Sequence, residues 1–347
     1  MKDILKFVSE YNGCENYDKE MLSYIFCEMA YFDFSKFNNI GIRKHMLPVS
    51  ALKGINIGRS NIEKKFWDAF AKNDEFSQAK IGHYQEILNT KKGIQFAAVT
   101  VEYKGINFIC YRGTDINISG WKEDIDLGYE DVIPSQIAGI RYLNRVATKI
   151  SGEMIVSGHS KGGNVAVYSC ANTSDKIRDR VLRIYSFDGV GFRQNFYRSS
   201  EYAKIRDKVV KFVPRHSVVG LLFGNDRNTT LKVIDADGIG FNQHTLENWK
   251  VEEGAFILQK RVADFYRTLA KNMNIWIFNL KKPEARKLIN TIYGIAYECG
   301  ISDKTDVSKR FVVFSTRTLK RYFASQGNSR KECNKIVGDF LGAVVAW

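Results

Sequence analysis

Apolar residues change their spacing along the chain, and each change marks a different kind of element. Between residues 14 and 37, Met21, Leu22, Tyr24, Ile25, Phe26 and Met29 make a broad apolar face at helical spacing, so a helix is expected there. Residues 38–60 are interrupted by Gly and Asn and read as a loop. Ile62–Ala71 returns to helical spacing through Phe66, Phe70 and Ala71. The pattern then shortens. Ile94–Glu102 and Ile106–Tyr111 are runs of β-branched and aromatic residues, and Tyr103-Lys104-Gly105 between them is a turn signal, which predicts a β-hairpin.

Beyond the hairpin the two patterns alternate. Ile137–Ile150 and Lys161–Asn172 carry helical spacing, whereas Glu153–Ser157, Arg183–Phe187, Val209–Val213 and Leu231–Ile234 are short apolar strands. Strands alternating with helices predict an α/β protein: a mostly parallel central sheet flanked by helices. From about Ala255 the chain reads as mostly helical, with one strand at Phe311–Ser315. The expected organisation is therefore an α/β domain over residues 1–254, opened by a helical N-terminal segment, and a helical region over residues 255–347.

Composition narrows the class. Of 347 residues, 44% are hydrophobic and 26% charged, with 4 Pro, which excludes wholesale disorder and collagen-like or mucin-like chains. No apolar run reaches the roughly 18 residues of a membrane-spanning helix. The apolar stretch near the N-terminus is too short for a signal peptide and is interrupted by Glu10 and Glu15, so a cytoplasmic location is expected. The six cysteines (Cys14, Cys27, Cys110, Cys170, Cys299, Cys333) form no C-x-x-C pair; they read as reduced core thiols, not as a disulfide frame or a zinc site.

The formal charge is +14, from 52 Lys and Arg against 38 Asp and Glu. From Ala255 onward 17 basic residues face 7 acidic ones, so that region holds +10 of the total. Such a surface attracts anionic lipid, nucleic acid or acidic partners, or is simply a solvated lysine-rich face.

The candidate chemistry lies at Gly158-His159-Ser160-Lys161-Gly162-Gly163, where an apolar strand runs through a G-x-S-x-G turn into a helix. A serine at such a turn projects its hydroxyl from the sheet edge. The residues two before and two after must be small because strand and helix approach closely, and Gly158 and Gly162 meet that need. The amides opening the helix at Lys161 can stabilise negative charge on a substrate oxygen. The inert alternative is a plain glycine-rich turn; a phosphate loop of the G-x-x-x-x-G-K-[ST] kind is absent from this segment.

Upstream, the hairpin ends in Tyr111-Arg112-Gly113-Thr114-Asp115, followed by Trp121 and Asp124. Together with G-H-S-x-G-G these segments resemble the class 3, fungal lipase-like branch of the α/β hydrolases, over about residues 20–250. The runs QFAAVTVEYKGINFICYRGTD and SFDGVGF look closest to an uncharacterised bacterial lipase-like subgroup. The resemblance implies an α/β-hydrolase fold with additional N- and C-terminal helices. It implies an oxyanion hole made by Thr114 and the amide of Lys161, with Arg112 and Asp124 as supports of the turn. It also implies an ester or lipid substrate.

A serine needs a base, and in this fold the order is Ser, acid, His. Of His45, His83, His159, His216 and His244, only His216 and His244 follow the elbow, and His244 lies in a loop after the last expected strand. His159, beside the serine, is expected to point away from it. The acid is less determined. Fungal-type lipases carry Asp in a segment matching Val213-Pro214-Arg215-His216-Ser217, where this chain has Ser217. Asp188, ending the preceding strand, is the first choice; Asp235, Asp237 or a Ser-His dyad without an acid are the alternatives.

The functional expectation is a serine esterase or lipase-like hydrolase working through Ser160, His244 and Asp188. No metal or cofactor is expected, since the histidines are too dispersed for ligand spacing. The basic region would favour an anionic membrane surface, with no obligate nucleic acid. The rival is an inactive hydrolase fold used to bind nucleic acid or an acidic partner.

Overall fold

The computed structural model describes residues 2–13, 19–55, 57–89, 93–114, 123, 126–279 and 283. Trp121, Asp124, the strand expected at Phe311–Ser315, Cys14, Cys299, Cys333 and most of the basic region lie outside the described residues.

The principal sheet contains nine strands in the order β1 (Met46–Pro48), β2 (Lys80–Asn89), β3 (Ile94–Tyr103), β4 (Ile106–Tyr111), β5 (Met154–His159), β6 (Val181–Phe187), β7 (Val209–Pro214), β8 (Thr230–Ile234) and, after the small pair β9 (Val251–Glu252) and β10 (Ala255–Phe256), β11 (Leu258–Gln259). Strands β4 to β8 are parallel to one another, while β1, β2, β3 and β11 add antiparallel edges. The sheet is thus mixed with a parallel centre. Every residue of β5 is buried because helices cover both faces, as a central parallel strand requires.

The expected hairpin is β3 and β4. Lys104 and Gly105 take φ of 48° and 79°, the left-handed pair that lets a two-residue turn follow the twist of its strands. The parallel strands are joined by helices, α4 (Pro134–Ala147) between β4 and β5 and α5 (Lys161–Ala171) between β5 and β6. Pro134 opens α4 at the position where its missing N–H costs nothing. These two helices pack on one face through Tyr142, Leu143, Val165 and Ala166.

The other face is covered by the N-terminal helices α1 (Lys2–Glu10), α2 (Lys19–Met29) and α3 (Asn61–Lys72). Phe26 of α2 meets Phe108 of β4 edge-on at 4.8 Å, a contact worth roughly 1 kcal/mol beyond its buried area. The helix expected over 14–37 is shorter, because the chain turns after Met29 and resumes as a 3-10 segment, Phe34–Ile40, capped by the Asp33 side chain. The loop expected over 38–60 contains β1 and a 3-10 turn at Val49–Leu52.

The chain passes residue 254 without leaving the sheet. Phe256 packs against Tyr24, Phe187 and Trp249, β11 pairs with β8, and the helix α6 (Asp264–Asn279) buries Ala270. Among the described residues, no helix is long and apolar enough to cross a membrane.

Candidate active site

The parallel register fixes where the candidate residues emerge. His159 of β5 lies opposite Phe187 of β6, so Ser160 and Asp188 each follow one step beyond a paired position on neighbouring strands. Ser160 N–H donates to the Phe187 carbonyl at 3.0 Å. Asp188 N–H donates to the Phe212 carbonyl of β7 at 2.8 Å.

Ser160 sits at φ 56° and ψ −128°, backbone that glycine tolerates and other residues occupy at a cost of about 1–3 kcal/mol. The surroundings enforce it. A Cβ on Gly158 would lie 2.1 Å from the Gly162 carbonyl oxygen, and one on Gly162 would lie 2.2 Å from that of Tyr111. Strand, turn and helix therefore meet at backbone contact, and the end of β4 is pressed onto the elbow. A Cβ on Gly113 would come within 2.8 Å of the Ser160 Cβ, so the turn carrying Thr114 abuts the serine. Thr114 is half-buried. Lys161, as the first residue of α5, has no acceptor one turn back within the helix.

The Lys161 side chain turns away from the edge. Its ammonium donates to Glu123 Oε2 and to the Gln95 carbonyl, both at 2.8 Å, in a fully buried pair. Glu123 also accepts from the Ser135 amide at 2.8 Å and from its hydroxyl at 2.6 Å. Arg112 is likewise buried and paired with Glu86 at 3.0 Å, which Arg59 shares. The pair ties the end of β4 to β2. Below the elbow, Gln136 donates to Asn164 at 2.8 Å, and Asn164 donates to the Gly191 carbonyl at 2.8 Å, tying α4, α5 and the segment after β6 together.

His244 closes a one-turn helix, Phe241–His244, that starts at Gly240 with φ 59°. Gln243 anchors this loop from inside: it accepts from the His216 amide at 2.7 Å and donates to the Gly238 carbonyl at 3.0 Å, while Trp249 Nε1 donates to its backbone carbonyl at 2.9 Å. The loop brings His244 Nδ1 to 2.7 Å from Asp188 Oδ2. The carboxylate is fully buried and carries two further donors, the Ser217 hydroxyl at 2.5 Å on Oδ2 and the Gly220 amide at 2.9 Å on Oδ1. Asp235 and Asp237 face the Lys250 ammonium instead, at 3.2 and 3.6 Å. Among the described residues, neither Ser160 Oγ nor His244 Nε2 is hydrogen-bonded to another group.

Three features escaped the sequence. Ser217 occupies the position where an acid was expected and donates its hydroxyl to Asp188 at the end of the neighbouring strand. His159 packs on the His244 loop: its ring lies 4.6 Å from that of His244, and its Nε2 is 2.8 Å from the His244 carbonyl. Tyr31 reaches His159 Nδ1 at 2.6 Å. Only the position of Ser217 had a sequence signal, as a departure from a pattern.

Burial governs the remaining ionisable groups near the sheet centre. Lys211 of β7 is pushed down to about 7 by desolvation, opposed by the Asp188 charge. Its ammonium donates to Asn225 at 2.5 Å. Burial raises the Cys27, Cys110 and Cys170 thiols, Cys110 to about 12, so they stay protonated and unreactive near neutral pH. Among the described residues, no group of three or more His, Cys, Asp or Glu is placed to hold a metal ion.

A family model described as Mbeg1-like matches residues 70–294, well over half of the sequence. The chain belongs to the Mbeg1-like family. The matched stretch contains Ser160, Asp188 and His244; Tyr31 and helices α1 to α3 precede it, apart from the last residues of α3. No curated protein matches this Mbeg1-like chain in sequence. Among solved structures it is similar to a Rhizomucor miehei lipase in complex with its propeptide, at 14% identity, covering 58% of this chain and 62% of that one, with a TM-score of 0.38. It is also similar to the Lip2 lipase from Yarrowia lipolytica, at 13% identity, covering 76% of this chain and 94% of that one, with a TM-score of 0.35.

Proposed function

We propose that this Mbeg1-like protein is a serine hydrolase that cleaves carboxylic esters through an acyl-enzyme on Ser160. The observation that carries the reading is the His244 imidazole held on the buried Asp188 carboxylate at the same sheet edge as a serine in left-handed backbone. A serine hydroxyl is a poor nucleophile until a base takes its proton. His244 Nε2 is that base. With Nδ1–H donating to Asp188, the ring presents an unprotonated Nε2, and the carboxylate stabilises the imidazolium that forms.

Attack by Ser160 Oγ on the ester carbonyl gives a tetrahedral oxyanion, received by the amides of Thr114 and Lys161. His244 then returns the proton to the departing alcohol, leaving the acyl group on Ser160. Water, deprotonated by the same ring, releases the acid. The strain at Ser160 supports the reading, because it holds the hydroxyl forward without any movement at the moment of reaction. The substrate class is an acyl ester, including lipid and phospholipid esters presented at an anionic surface.

The test is labelling with a fluorophosphonate together with hydrolysis of short-chain aryl esters. The parent is expected to label and turn over, and Ser160→Ala to do neither. A parent inert in both assays, or a Ser160→Ala variant that labels as well as the parent, overturns the proposal.

A further inference from the structure

The contacts of His159 fix its proton positions. Its Nε2 faces the His244 backbone carbonyl at 2.8 Å, and a carbonyl only accepts, so Nε2 carries hydrogen. In the neutral ring Nδ1 then holds a lone pair and accepts from the Tyr31 hydroxyl at 2.6 Å. The Tyr31 oxygen, whose hydroxyl hydrogen points at His159, accepts from the Gly113 amide at 3.2 Å. The chain of donors runs in one direction, from Gly113 N–H to Tyr31 O–H to His159, and from His159 Nε2–H to His244 C=O.

Each end of that chain belongs to a different part of the proposed hydrolytic site. Gly113 precedes Thr114 in the turn after β4. His159 precedes Ser160 in the elbow. The His244 carbonyl is the backbone of the base itself. A Cβ at Gly113 would fall 2.6 Å from the Tyr31 hydroxyl and 2.6 Å from the His159 carbonyl, so turn, tyrosine and elbow are packed without slack. The same N-terminal segment grips the base loop a second time, where Tyr24 of α2 donates its hydroxyl to the Leu246 carbonyl and stacks on Trp249 at 5.5 Å.

We propose that Tyr31 and His159 are positioning residues that lock the oxyanion turn, the nucleophile elbow and the His244 loop in one register. The role rests on the hydrolase reading above. Tyr31 acts through the Gly113–Thr114 turn, and His159 through the His244 backbone and the ring it packs against. Because Tyr31 lies before residue 70, the N-terminal segment outside the family match is part of the site's framework.

The experiment uses the full chain with Tyr31→Phe, His159→Leu and His159→Gln, and two readouts. Nitrogen-15 NMR of the parent reports the His159 tautomer, expected as Nε2–H, with the Nδ1 resonance moving in Tyr31→Phe as its donor is lost. Steady-state kinetics on a p-nitrophenyl ester report the consequence. Tyr31→Phe is expected to lower kcat by about 10- to 100-fold with little change in KM, as small misplacements of reacting groups do. His159→Gln, whose amide can donate to the His244 carbonyl and accept from Tyr31, is expected to recover most of the kcat that His159→Leu loses. Should His159→Leu fail to fold, Tyr31→Phe carries the test alone. An active parent whose Tyr31→Phe variant keeps its kcat, or whose His159 is the Nδ1–H tautomer, overturns the positioning role and leaves the hydrolase reading standing. A parent that hydrolyses no ester overturns the hydrolase reading and the role with it.

Discussion

The Ser217 hydroxyl donates to Asp188 Oδ2 at 2.5 Å, the same oxygen that faces His244 Nδ1 at 2.7 Å. The serine that stands where an acid was expected thus donates to the carboxylate of the adjacent strand end, the acid of the proposed mechanism. Asp188→Asn removes the charge that favours the imidazolium and puts the wrong hydrogen-bonding group against Nδ1. It is expected to lower kcat by about 10³- to 10⁴-fold. Ser217→Ala removes one donor of three and leaves the carboxylate in place. It is expected to lower kcat by about tenfold, equivalent to roughly 1.4 kcal/mol. Comparable losses in the two variants would contradict this division of roles.

Strain at Ser160 has a measurable signature in stability. Ser160→Ala keeps a Cβ in backbone at φ 56°, whereas Ser160→Gly does not. Both lose the hydroxyl, so their difference reports the strain relieved less the greater unfolded-chain entropy of glycine. Ser160→Gly is expected to be more stable than Ser160→Ala by about 1 kcal/mol in denaturant unfolding. An Ala variant as stable as the Gly variant would mean that the strain stored in the turn does not exceed the entropic cost of glycine.

The elbow was legible in the sequence because its physical demands are local. Small residues two before and two after a serine, between a strand and a helix, state a close approach whatever the rest of the fold does. The hairpin was legible for the same reason, since Lys104-Gly105 satisfies its own turn. Strand β2, Lys80–Asn89, was not foreseen: it is an edge-side strand with a bulge between Gly82 and Gln85 and a half-exposed second half, so neither alternation nor an apolar run marks it. The choice of Asp188 over Asp235 and Asp237 as partner of His244 depends on which strand ends lie side by side, and sequence spacing does not contain that. Tyr31 reaches a turn 82 residues away in the chain, a contact no local pattern announces.

The buried pair of Lys161 and Glu123 holds the first residue of the elbow helix against the end of the helix α4 entry at Ser135. Removing one partner leaves an uncompensated charge in the interior. Lys161→Met is expected to cost about 3–5 kcal/mol, and adding Glu123→Leu to recover a substantial part of it. Glu123 also accepts from the Gln95 amide at 3.0 Å, so a double variant no more stable than Lys161→Met would show that Ser135 and that amide hold Glu123 without need of the ammonium.

Lys211 gives stability a pH dependence of defined sign. Burial pushes its folded-state pKa down to about 7, while in the unfolded chain it stays near its ordinary value of 10.5. Between those values the unfolded chain binds the extra proton, so stability contributed through this group rises with pH above about 7. Below that pH both states are protonated and the full penalty of the buried charge applies. The useful window ends near pH 9, where the raised Cys110 thiol begins to act in the opposite direction, because the unfolded chain then releases protons that the folded one keeps. Lys211→Met removes the titration and also the donor to Asn225, so the slope against pH is the readout and not the absolute stability. Denaturant unfolding at pH 6.5 and 8.5 is expected to show parent stability gaining on the variant by roughly 1–2 kcal/mol. Parallel curves for parent and variant would mean that Lys211 keeps its proton in the folded protein throughout the range.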